Sequence, residues 1–115
     1  MTAKDIIKKL DKLDIYQQRR VADNYAEIVI LNSEIFICAE IMDELMGAPV
    51  SAAGIKPTEQ DIADTKDFGG IFDEQTLYKK DFDRARILVM FWPWQDGEHI
   101  TLKVVCLSKE EDLSH

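Results

Sequence analysis

Apolar residues recur along the chain in two rhythms, one helical and one alternating. Ile6, Ile7, Leu10 and Leu13 keep helical spacing. They follow Thr2 and Asp5, a threonine N-cap with an acid three residues later, which predicts a short helix ending near Lys12. Asp14 and Gln17 repeat the capping pattern and place a second helix start at Ile15. Beyond it Val21, Asn24, Ile28, Leu31, Ile35, Cys38, Met42 and Leu45 step by three and four, a heptad-like seam with one polar member. Tyr25, Val29, Phe36, Ala39 and Met46 broaden that seam. A single helix over residues 15–46 would run roughly 48 Å, against a mean helix of about 11–12 residues. Either it breaks near Asn32-Ser33, or it runs through and packs against another chain. The β-branched run Ile28–Ile30 would also suit a strand over Glu27–Leu31, but the three-four spacing continues on both sides and points to helix.

Gly47 and Pro49 stop the helical pattern, and residues 47–57 read as a loop. Thr58 and Asp61 form a third capping pair, opening a short helix to about Thr65. Gly69-Gly70 punctuates the chain, and Asp73 is placed to cap another short helix reaching about Lys79.

The alternating rhythm belongs to the last third. Residues 85–94 and 99–107 are β-rich and flank Gln95-Asp96-Gly97-Glu98, a strong hairpin signal. Pairing Trp94 with His99 sets Phe91 opposite Leu102, Val89 opposite Val104 and Ile87 opposite Cys106, a wholly apolar face. A four-residue loop makes Trp94–His99 the closing hydrogen-bonded pair and spares Pro93, which has no N–H to give. A lone two-stranded hairpin is marginal in water. Its further strand has few sources, Ile71-Phe72 or the run near Ile28, so dimerisation is expected. The fold expectation is an α+β domain over residues 1–115. N-terminal helices, one long or broken near residue 32, pack on a small antiparallel sheet completed by the C-terminal hairpin. Residues 108–115 are expected to fray.

Charge narrows the partners. The formal charge is -8, distributed as +3 over residues 1–20, -10 over 21–74 and -1 over 75–115. So acidic a middle repels phosphate backbones, which excludes non-specific nucleic-acid binding. The N-terminal ten residues lack the long apolar run of a secretory signal, and no stretch reaches the roughly 18 apolar residues of a membrane span. Cys38 and Cys106 sit in apolar surroundings and read as buried thiols of a cytoplasmic protein.

Candidate chemistry is sparse. With two histidines, no CxxC and no HExxH, no metal site or cofactor is expected. Asp61 and Asp64 share a helical face, as a cap and a solvated position. No nucleophile elbow, P-loop or dinucleotide fingerprint is present. On the hairpin's outer face Trp92, Trp94, His99, Thr101 and Lys103 project together, a platform for a ligand, a reaction or a partner. Surplus apolar surface nominates Ile28, Leu31, Ile35, Phe36 and Met42 for self-association. The expected function is non-enzymatic, through homodimerisation and contact with a protein partner. The alternative is a small-ligand binder or enzyme built on the outer hairpin face.

Overall fold

A computed structural model describes residues 1–52, 54–82 and 84–108. Thr2 and Asp5 close the expected capping box, each side chain bonding the other's backbone N–H, and α1 runs Ala3–Lys8. It ends earlier than the periodicity implies, because Leu10 and Leu13 continue inward as tight turns. Residues 15–31 are not helix but an antiparallel hairpin, β1 (Ile15–Val21) and β2 (Tyr25–Leu31). Helix begins only after it: a 3-10 turn at Asn32–Glu34 leads into α2, Ile35–Met46.

The reason is that β2 is covered on both faces. Ala26, Ile28 and Ile30 point to one core cluster while Val29 is equally buried on the other side. A strand buried on both faces is apolar at nearly every position and therefore satisfies a three-four spacing as readily as a two-residue one. Gly47 ends α2 with a positive φ of 78°. Thr58 and Asp61 form a second complete capping box for α3, Glu59–Thr65, extended by a 3-10 turn at Lys66–Phe68. Replacing Thr58 by alanine is expected to lower stability by about 1 kcal/mol, read from urea unfolding. The helix expected after Asp73 is instead β3, Thr76–Phe82.

The C-terminal hairpin forms in the expected register. β4 (Ala85–Pro93) pairs with β5 (His99–Ser108), with Phe91 opposite Leu102, Val89 opposite Val104 and Ile87 opposite Cys106. Trp94 N–H donates to the His99 carbonyl at 2.9 Å, closing the four-residue loop. The sheet order is β1-β2-β5-β4-β3, antiparallel throughout, so the fold is α+β. Of the expected frayed tail, all but Ser108 lies outside the described residues.

One sheet face packs against α1 and α2 through Ile28, Ile30, Val89, Leu102 and their neighbours, together with Leu10 and Met42. The other carries Leu77, Leu88, Met90 and Val105 beneath Ile71 and Phe68. The chain thus supplies the missing strands itself, and the shortage that suggested dimerisation does not exist. Both sheet edges are also blunted. β1 is polar and twice bulged, and β3 is bridged by Ser51 at Leu77. Among the described residues no helix is long and apolar enough to cross a membrane. Neither cysteine is in a disulfide. Burial and the nearby Glu34 charge push the Cys38 thiol up to about 12.

Candidate functional site

The outer hairpin face is built from three strands in rows. Trp94 and His99 lie beside Leu31; Trp92 and Thr101 beside Val29; Met90 and Lys103 beside Glu27. Two residues join them that pairing rules alone would not bring. In β1 the register slips once at Tyr16 and once at Arg19, and each bulge turns its extra residue onto this face. The Tyr16 ring meets the His99 imidazole edge-on at 4.4 Å, and the Arg19 guanidinium lies 5.6 Å from the centre of the Trp94 ring.

The five expected residues are therefore brought together, as two adjoining groups. In the first, Trp94 lies tilted against His99 at 4.7 Å, and its indole N–H donates to Thr101 Oγ1 at 2.7 Å. The Asp96 carboxylate accepts the backbone N–H groups of Glu98 and His99 and contacts His99 Nδ1 at 2.6 Å. Those bonds hold the Asp96 carboxyl below the usual carboxylate range, chiefly the one from the Glu98 backbone. In the second group, Lys103 Nζ sits 3.4 Å from the centre of the Trp92 ring and donates to the Phe68 carbonyl at 3.2 Å. Burial, opposed by Glu27 and helped by Arg19, lowers the Lys103 pKa.

Glu27 links the groups. It accepts from the Tyr25 hydroxyl at 2.7 Å and from Arg19 at 3.1 Å. Burial would raise its pKa, but those two bonds and the Lys103 and Arg19 charges outweigh burial and lower it. Burial and the bond to Glu27 push the Tyr25 phenol upward. The sequence alone does not mark Tyr16, Arg19, Tyr25, Glu27 or Asp96 as members of this face. The parity of β2 would have shown Tyr25 and Glu27; the bulges left no local signal.

Chemically the face is largely occupied by itself, apart from the Trp92 indole N–H, which is buried without a hydrogen-bond partner among the described residues. Each of its charged groups is bonded or stacked within the face, and three cavities among the described residues are lined without either tryptophan. Of the five residues, only His99 borders one of them, an open trough of about 480 Å³ shared with Leu31, Asn32, Ser33, Gly97 and Glu98. Asp96, Glu98 and His99 hold potential ligand atoms within 4.8 Å of one another, the one such group among the described residues. An ion there would compete with the three contacts the Asp96 carboxylate already makes in shaping the turn.

The self-association candidates divide. Ile28 and Met42 are fully buried inside this chain, so neither can meet a partner. Leu31 and Ile35 are half-buried. Phe36 alone stands out into solvent at 85% exposure, with Ile37 beside it. Comparison with known proteins found no match: no family model, no curated protein and no solved structure is similar to the chain.

Proposed function

We propose that this is a non-enzymatic protein that works by binding another protein through the outward face of α2. The observation that carries the reading is Phe36, a large aromatic side chain 85% exposed in the first turn of a helix whose opposite face is core. Aromatic side chains so placed serve as interface anchors, since burying one against a partner recovers transfer free energy that folding has left unused. The contrast with the hairpin face supports it, because there the charged groups are already bonded or stacked within the face. Two free thiols support a reducing, cytoplasmic setting.

A second reading, small-ligand binding, has one observation in its favour: the trough bordered by His99. Photo-crosslinking separates the two. Benzoylphenylalanine placed at Phe36 in living cells is expected to give a discrete adduct heavier than the 13.2 kDa chain, and none when placed at Trp94. An adduct of twice that mass containing only this chain would assign the face to self-association. Adducts at Trp94 and none at Phe36 would overturn the proposal.

A further inference from the structure

The partner's chemistry is written on the same helix, and the inference rests on α2 being the interface. The α2 sequence IFICAEIMDELM contains Glu40, Asp43 and Glu44 and no basic residue, and Glu34 precedes it as the N-cap residue. Two of these acids, Asp43 and Glu44, stand in the last turn, where the helix macrodipole is negative and bases are preferred. Little inside the chain offsets them. The Tyr78 hydroxyl donates to Asp43 at 2.8 Å, and Lys80 bonds the Leu45 carbonyl. Among the described residues no cation pairs with Glu34, Glu40, Asp43 or Glu44.

The outward face therefore has two ends. Phe36 and Ile37 make an apolar end at the start of the helix, and Glu40, Asp43 and Glu44 make an acidic end that begins roughly 6 Å beyond Phe36 and reaches roughly 12 Å, at 1.5 Å per residue. A second copy of this chain is a poor match. Two such faces paired about Phe36 would set Glu34 and Glu40 of one copy against those of the other, and like charges across an interface oppose pairing.

We infer that α2 docks a basic amphipathic segment of another protein, with apolar residues seated on Phe36 and Ile37 and lysine or arginine residues over Glu40, Asp43 and Glu44. Opposite charge would then set the orientation and speed the encounter, while the apolar end supplies the anchor. The geometry asks for a partner helix or extended strand of two to three turns' length with its bases at one end.

The test uses a synthetic helical peptide of leucine and lysine in amphipathic order, titrated into the isotopically labelled full chain and followed by NMR. Shifts are expected to concentrate in residues 35–46. Reversing charge with the pair Glu40→Lys and Glu44→Lys should weaken binding about tenfold or more, as should a leucine–glutamate peptide of the same pattern. The remote pair Glu59→Lys and Glu74→Lys changes net charge equally and should leave affinity within about twofold. Equal weakening by both pairs would mean general attraction to an acidic protein and would overturn the inference. So would shifts centred elsewhere, or α2 shifts that appear on concentrating the protein alone, which would make the occupant a second copy. If Phe36→Ser abolishes peptide binding while the Glu40 and Glu44 reversals do not, α2 stands as an interface and the basic partner fails.

Discussion

Replacing Gly69 by alanine is expected to cost about 2–5 kcal/mol, from a left-handed backbone and an overpacked contact acting together. Gly69 follows the 3-10 turn after α3 and has a φ of 98°. A Cβ there would lie 2.9 Å from Trp92 Cζ2, closer still to Cη2, and 3.1 Å from Lys103 Nζ. Little in that wall can give. The Trp92 ring is held by the Lys103 ammonium, and Lys103 is itself bonded to the carbonyl of Phe68, whose ring stacks on Tyr25 at 6.4 Å. Moving the indole therefore loosens the segment that covers the outer face of the sheet. Gly97 provides the control, with a φ of 71° and no atom within 4 Å of an added Cβ, so its alanine variant meets only the backbone penalty of about 1–2 kcal/mol. Urea unfolding followed by tryptophan fluorescence measures both. If Gly69→Ala costs no more than Gly97→Ala, the close approach to Trp92 is not what requires glycine. Against a total stability of roughly 5–15 kcal/mol, the expected difference is large enough to shift the midpoint visibly.

That tight seat explains which parts of the molecule could be read in advance. Signals complete within a few residues were legible: the capping boxes at Thr2 and Thr58, the Gly47 stop, and the hairpin register around Asp96-Gly97. The same capping pattern at Asp14 and Gln17 misled, because the segment it introduces is a bulged edge strand whose conformation depends on pairing with β2. Residues 15–31 failed for a tertiary reason, since burial of β2 on both faces erases the alternation that marks a strand. The outer-face residues Trp92, Trp94, His99, Thr101 and Lys103 followed from register alone and do share one face. What register could not tell is that Arg19, Tyr16 and Phe68 arrive from elsewhere and fill it. Phe36 and Met42 fell in the same broad apolar seam, yet one faces water and the other the core; only the position of the sheet decides which side of α2 is inside.

Lys79→Met is the second substitution with a large expected effect, about 2–4 kcal/mol at neutral pH. Lys79 on β3 reaches α3 and is bonded to the Asp64 carboxylate, with Asp61 Oδ1 3.6 Å away. All three side chains are largely buried, at 18%, 15% and 7% exposure respectively, so removing the ammonium strands two carboxylates with little water to solvate them. Asp61 cannot turn away, because its other oxygen accepts the Thr58 N–H that begins the helix. The expectation of a solvated Asp64 is thus replaced by a buried ion pair that ties α3 to the sheet. The exposed pair Arg19–Glu27 is worth far less, about 0–1 kcal/mol. The pH dependence has a definite sign. Burial raises the Asp64 pKa, but the bonds from Lys79 and Gln60 and the charges of Lys79 and Arg86 outweigh burial and bring it below the usual range. A carboxyl lowered by folding contributes stability above its unfolded pKa of about 3.9, and loses it as pH falls through the lower folded value. In Lys79→Met the lowering influence of the ammonium is gone, while burial, the largest single influence, remains alongside the Gln60 bond and the Arg86 charge. Acid then relieves the stranded charge, so the deficit of the variant should begin to shrink above the unfolded pKa of about 3.9, as the buried carboxyl protonates, and shrink further below it as the wild-type ion pair is lost. Combining Lys79→Met with Asp64→Asn and Asp61→Asn should recover part of the loss at pH 7 by removing the unpaired charges. A deficit that is independent of pH, and no recovery in the triple variant, would mean that the lysine acts through the packing of its methylene stem and not through its charge.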